Sequence, residues 1–266
     1  MTKIKLIVSD LDGTLLNSNH ELPADFWEIE QKLHDNNIIF AIATGRQFYN
    51  IVKIFDRIKD RTLFLAENGT YAFYKGKELF VNPLLKEKAN EFVKIGRTIN
   101  DTFVILCGKN AAYVENTNER FLSEARNYYS RLDIVDDLTQ VDDEILKVTL
   151  CDFNHVPTNS YLYFQQYEND FKVAISGTVW LDITGFNANK GVAIKNIQKQ
   201  LNIPFEETMV FGDFLNDLEM MQTAKYSYAM KNAHHEIIKI SNFITDFDNN
   251  NHGVTNIISR EILSKL

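Results

Sequence analysis

Two aspartates one residue apart, Asp10 and Asp12, close the apolar run Leu6-Ile7-Val8-Ser9 and are followed at once by Gly13-Thr14. The unbroken apolar row predicts a strand buried on both faces. A strand that finishes in Asp-x-Asp delivers two carboxylates to the carboxyl edge of a sheet, where open α/β sheets bind their ligands, and Gly13 lets the chain leave sharply. Asp10 is therefore a candidate nucleophile and Asp12 a candidate helper. Taken alone, Asp-Leu-Asp-Gly is as readily a polar turn, because Asp and Gly dominate turns. A calcium loop is rejected, since the glycine stands fourth where that loop wants it sixth.

The weight comes from partners far along the chain. Thr44-Gly45-Arg46 follows the apolar run Ile38–Ala43. A hydroxyl, a bared backbone N–H and a cation ahead of a helix make a seat for phosphate, although Thr44 as a plain helix cap reads almost as well. Asn189-Lys190-Gly191 opens another amphipathic pattern and puts Lys190 in a first turn, where the helix dipole favours anions rather than cations. A lysine there makes sense if it shares an anion with the helix end. Met209-Val210-Phe211 then runs into Gly212-Asp213-Phe214-Leu215-Asn216-Asp217, a second acidic strand end. Asp10, Asp12, Asp213 and Asp217 facing one another would repel unless something positive lay between them. Lys190 supplies one positive charge, and a phosphate monoester adds about two negatives, so a divalent oxygen-loving ion is expected. Magnesium suits a site without His or Cys better than zinc does.

The elements that must position these residues follow from apolar periodicity. Strands are expected at Leu6–Ser9, Ile38–Ala43, Thr62–Ala66 and Thr208–Phe211, with a hairpin at Tyr71–Tyr74 and Glu78–Val81. A helix entered at Glu21-Leu22-Pro23-Ala24 follows the first strand. From Pro83 onward αβ material continues, but no strand in it is expected to end in acidic chemistry. The expected architecture is a doubly wound, mostly parallel sheet with a Rossmann-like core, residues 1–82 and 187–266, and an inserted αβ cap, residues 83–186. The aromatic stretch Tyr161–Phe164 is read as core packing rather than as a substrate platform. With 266 residues, 45% hydrophobic, the chain can bury a sizeable core across two domains. A net charge of -8 argues against a nucleic-acid or anionic-membrane surface. No run approaches the ~18 apolar residues of a membrane helix. Cys107 and Cys151 lack metal spacing and are expected as reduced buried thiols, in a cytoplasmic protein that is a monomer or weak homo-oligomer.

Four ordered signals, Asp-Leu-Asp-Gly-Thr, Thr-Gly-Arg, Lys190 at a helix start and Gly-Asp-x-x-Asn-Asp, resemble the motifs of the haloacid dehalogenase superfamily. The insert, Glu67-Asn68-Gly69, Ala229-Met230-Lys231-Asn232-Ala233 and Asn251-His252-Gly253-Val254 resemble its Cof-type branch of sugar phosphatases. The resemblance implies that Asp10 attacks phosphorus and binds Mg²⁺. It makes Asp12 the general acid and base, with its backbone carbonyl on the metal, and Asp213 the residue that completes the metal site. It gives the phosphoryl oxygens to Thr44, the Gly45 and Leu11 backbone, Lys190 and Asn216. Asp217 would orient Lys190 or a metal-bound water, and Arg46 would be a supporting cation. Asn189 and Thr70 depart from the branch's usual small residues. The expected function is Mg-dependent hydrolysis of small phosphate esters, through an aspartyl phosphate. The alternatives are a phosphomutase on the same core, or a catalytically silent phosphometabolite-binding regulatory protein. Asp246–Asn251 is set aside as a loop with misleading calcium-like spacing, and His234-His235 as a helix start.

Overall fold

The computed structural model describes residues 4–265. It divides into two compact units. One comprises the chain up to Gly45, Phe55–Phe80 and everything from Asn189 onward; the other comprises Arg46–Ile54 and Val81–Ala188.

The first unit is built on an eight-stranded sheet in the order Phe243–Ile244, Tyr226–Ala229, Thr208–Gly212, Leu6–Ser9, Ile39–Ala43, Leu63–Ala66, Tyr71–Tyr74, Lys77–Val81. The strand Leu6–Ser9 is central. It pairs in parallel with Thr208–Gly212 on one side and Ile39–Ala43 on the other, with Ser9 level with both Phe211 and Ile42. The hairpin strand Tyr71–Tyr74 turns antiparallel, against Leu63–Ala66. The central strands Leu6–Ser9 and Thr208–Gly212 are buried along their whole length because helices cover both faces, and their residues are apolar apart from Ser9 and Thr208. On one face Leu6, Val8, Ala41 and Val210 pack with Ala193, Ile194 and Ile197 of the helix Lys190–Leu201, and with Met220, Met221 and Ile237. On the other, Phe26 of the helix Phe26–Asp35 meets Phe40 and Phe55 edge to face, with ring centroids 5.4 and 5.8 Å apart. That helix starts at Phe26 rather than at Glu21, since Glu21–Pro23 is irregular and Ala24-Asp25 form a turn.

In a parallel sheet equal register means that the carboxyl ends lie level, so residues leaving the strands together are neighbours at one edge. Asp10, Thr44, Glu67 and Asp213 all leave there. The Asp10 amide donates to the Phe211 carbonyl at 2.9 Å, and the Thr44 amide to Leu65 at 2.9 Å.

The second unit carries a six-stranded sheet, ordered Phe171–Ile175, Trp180–Gly185, Ile145–Asp152, Thr102–Gly108, Ala112–Val114, Leu132–Ile134. Its helices cover it from both sides. Phe92 and Phe164 share a core with Val148, Leu150 and Ile183, while Phe121 and Ala125 pack over Ile105, Cys107 and Cys151. Phe164 lies in that core, but Leu162 and Tyr163 are exposed, so the aromatic stretch is only partly core. Two details depart from the sequence reading. The helix Phe48–Ile54 groups with this unit: Asn50 donates to the Tyr128 carbonyl, Gln47 to the Arg131 carbonyl, and the Arg131 guanidinium lies over Tyr49. The strand Ile145–Asp152 also ends in a buried acid, but Asp152 accepts from the amides of Asn154 and Ser160 and from the Asn159 side chain, closing its own loop. Among the described residues no helix is long and apolar enough to cross a membrane.

Candidate active site

The first acidic strand end and the second meet through Lys190. Its ammonium is fully buried and donates to Asp10 Oδ1 at 2.5 Å and to Asp217 Oδ1 at 2.7 Å. Lys190 reaches this place because Asn189 caps its helix, accepting from the Val192 amide at 2.8 Å. The small residue expected at position 189 is thus replaced by an asparagine that serves as the cap. Burial works against the charge on Lys190, but Asp10 and Asp217 outweigh it and hold the lysine protonated, its pKa raised. Burial pushes the Asp10 carboxyl well up, opposed by Lys190 and reinforced by Asp217 and Asp213. Asp213 rises to about 6 by burial and by the nearby Asp217.

Asp217 is tied down at both oxygens. Its Oδ1 takes Lys190, and its Oδ2 accepts from the amides of Asp213 and Phe214 at 3.0 and 3.2 Å, which shapes the turn that carries Asp213. Asp213 in turn accepts from the Thr14 hydroxyl at 2.9 Å. Oxygens of Asp10, Asp213 and Asp217 all lie within 4.8 Å of one another. With one lysine among three carboxylates and only oxygen donors, this set fits a hard divalent cation. Gly13 stands against it at φ +77°, a conformation strained for any other residue, and a Cβ there would come within 2.4 Å of Asp213 Oδ2 and push that carboxylate aside.

The Asp12 side chain is 43% exposed and faces His20, whose Nδ1 lies 3.4 Å from Asp12 Oδ1. The two aspartates therefore sit in opposite settings, Asp10 buried against a cation and Asp12 at the surface. Leu11 is fully buried between them. Thr44 is buried and Gly45 half-buried at the adjacent strand end. Asn216 donates to Asn68 Oδ1 at 3.1 Å. Arg46 is half-buried and falls in the second unit, with the helix that follows it.

The sequence profile of the haloacid dehalogenase-like hydrolases matches residues 7–258. The protein belongs to that family. It is 30% identical over 262 residues to the 5-amino-6-(5-phospho-D-ribitylamino)uracil phosphatase YbjI of Escherichia coli, across 97% of this chain and 96% of that one. It is 26% identical over 282 residues to the phosphatase YwpJ of Bacillus subtilis, across 96% and 99% of the two chains. A solved haloacid dehalogenase-like hydrolase from Bacteroides thetaiotaomicron shares the fold, with a TM-score of 0.87 at 24% identity over 98% of this chain and 100% of the other. The chain is a phosphatase of this family.

Several residues that the sequence left without a role support this haloacid dehalogenase-like site. Asn232 donates to the Gly13 carbonyl at 2.8 Å and accepts from the Asn249 amide. Asn249 is buried and donates to the Leu16 carbonyl at 2.9 Å. Together they pin the loop that leaves Asp12. Asp248 accepts from the Asn251 amide at 3.0 Å, so the stretch Asp246–Asn251 is a loop, as read, but one that grips the motif opposite. His234 caps the helix His235–Ile240, accepting from the Glu236 amide. Spacing alone carried no signal for His20, Asn232 or Asn249, because each contact spans a turn or the length of the chain.

Proposed function

We propose that this phosphatase is magnesium-dependent and hydrolyses small phosphorylated metabolites, sugar phosphates foremost, through an aspartyl phosphate on Asp10. The observation that carries the reading is the buried Asp10–Lys190–Asp217 triplet beside Asp213 at one sheet edge. Asp10, Asp213 and the backbone carbonyl of Asp12 would hold Mg²⁺, which supplies, when bound, the charge that lets a phosphoryl dianion approach carboxylates.

An Asp10 oxygen attacks phosphorus; the Asp10 O–P bond forms as the ester P–O bond breaks, and Asp12 gives its proton to the departing oxygen. Asp12 then takes a proton from water, whose oxygen attacks the same phosphorus, and the Asp10 O–P bond breaks to free phosphate. Lys190, the Thr44 hydroxyl, the Gly45 and Leu11 amides and Asn216 hold the phosphoryl oxygens. Lys190 suits this because its charge is held by two buried carboxylates. The negative net charge and the two buried thiols fit a cytoplasmic enzyme of small molecules rather than of nucleic acid.

The relative YbjI is named for a substrate with a phosphate on a ribityl chain, so polyol and sugar phosphates head the panel to be tried. Phosphate release across such a panel, with Mg²⁺ and again after chelation, tests the reading. Release should stop on chelation and return with Mg²⁺. Equal activity in the metal-free protein would overturn the metal assignment, and no release from any ester, an aryl phosphate included, would overturn hydrolysis.

A further inference from the structure

After the strand Leu63–Ala66 the chain enters three successive left-handed residues, Glu67 at φ 50°, Asn68 at φ 55° and Gly69 at φ 87°. Glycine and asparagine take this conformation readily, whereas for glutamate it costs about 1–2 kcal/mol. Strain of this kind persists only where the surroundings over-determine it, and it gathers at working sites. The turn is closed by the Thr70 hydroxyl, which donates to the Glu67 carbonyl at 3.0 Å, giving a use to the threonine that departs from the branch pattern.

What the strain achieves is a single contact point for two strand ends and a helix start. The Asn68 amide donates to the Thr44 carbonyl at 2.9 Å. Its side-chain oxygen accepts from Asn216 Nδ2 at 3.1 Å, across 148 residues of sequence. Its side-chain amide also crowds Gly45, where an added Cβ would lie 3.2 Å from both Asn68 Oδ1 and Nδ2. Gly69 presses on the third element: a Cβ there would stand 2.7 Å from the carbonyl of Asn189, the residue before Lys190.

We propose that Asn68 is a positioning residue for phosphoryl transfer, its side chain fixing the Asn216 amide while its backbone amide ties the turn to Thr44. The proposal rests on the reading that Asn216 and Thr44 hold phosphoryl oxygens. An amide nitrogen carries two hydrogens. With one of them given to Asn68, the Asn216 amide plane is set and the other hydrogen is aimed; without Asn68 the amide rotates and the donor is lost part of the time.

The test uses the Mg²⁺-loaded full chain, with inorganic phosphate as competitive inhibitor of p-nitrophenyl phosphate turnover. Asn68→Gly removes the side chain but accepts the left-handed backbone. It should raise KM and the phosphate inhibition constant about tenfold, the loss of one hydrogen bond to a charged group, while kcat changes less than threefold. Asn216→Ala should do the same, and the double variant should be no worse than Asn216→Ala alone. Asn68→Ala adds backbone strain and should lower Tm further, yet show the same KM as Asn68→Gly. An unchanged KM in Asn68→Gly, full additivity in the double variant, or a KM that follows Tm across the two Asn68 variants would overturn the proposal. If Asn216→Ala itself leaves phosphate inhibition unchanged, the assignment of Asn216 fails, and the role of Asn68 fails with it.

Discussion

Lys190 is the residue on which the site's electrostatics turn. A buried ion pair contributes little against an apolar replacement, but removing one partner strands the other. Lys190→Met should therefore destabilise the metal-free protein by about 3–5 kcal/mol, because Asp10 and Asp217 would stay buried without their cation; chemical denaturation measures this, and a loss under 1 kcal/mol would contradict it. Asp10→Asn is the complementary change. It takes one carboxylate from Lys190 but leaves Asp217 as its partner and an amide oxygen that still accepts, so the fold should keep its Tm, while turnover falls by about 10³-fold or more, since an amide is a poor nucleophile. Asp12→Ala should behave differently with an aryl phosphate, whose leaving group needs little protonation: a burst of phenol near one per active site, with phosphate held on Asp10 in a hydroxylamine-sensitive bond. A parental rate would refute this division of labour. Away from the site, burial pushes the Cys151 thiol up to about 12 from 9.0. Thiolate is the reactive form, so at pH 8 labelling of the native protein at Cys151 should be about a thousandfold slower than in denaturant. The shift disfavours the thiolate in the folded state, so its stabilising effect is present below pH 9 and is lost as pH rises toward 12.

At the scale of elements, the functional side chains are held by short polar contacts that end strands and start helices. Asn189 caps the helix that carries Lys190, and Asn189→Ala should cost about 1 kcal/mol of stability. Because the same cap fixes the first turn, KM should rise with it, which an exposed cap elsewhere, such as Asn118→Ala on the helix Glu119–Tyr128, should not reproduce. Asn249→Ala should be dearer. It leaves the Leu16 carbonyl unpaired, at about 1–3 kcal/mol, and loosens the loop behind Asp12. Thermal unfolding beside steady-state kinetics separates the two effects, and an unaltered Tm in Asn249→Ala would show that the contact is dispensable.

For the molecule as a whole, like charges gathered at a sheet edge weaken the fold, and a cation bound among them would offset this. Adding Mg²⁺ to chelator-treated protein should raise Tm by several degrees, growing with the logarithm of concentration, because an ion that binds only the folded state stabilises by mass action. Asp213→Asn should shrink that rise. A Tm indifferent to Mg²⁺ over the millimolar range would count against the site.

Much of this was legible in the linear sequence. Apolar runs ending in Asp-x-Asp, Thr-Gly-Arg and Gly-Asp-x-x-Asn-Asp mark strands of a parallel sheet together with their chemistry, since a strand's burial and its terminal residues are both local properties. Local periodicity also gave Lys190 a helix start, whereas a part for Asp217 in orienting it came only from the family resemblance. It did not give the polar strand Tyr226–Ala229 or the two-residue strand Phe243–Ile244, whose pairing depends on the sheet already being there. Nor did it place the helix Phe48–Ile54, which follows a core strand but groups with the other unit through contacts to Tyr128 and Arg131. The tertiary structure alone decided that Asp10 and Asp217 share one buried cation, that Asn68 meets Asn216, and that the decoy loop around Asn249 grips the loop that follows Asp12. Each of these is a contact between residues far apart in sequence, fixed by strand register and by the need of every buried donor and acceptor for a partner, and neither is written in any single stretch of chain.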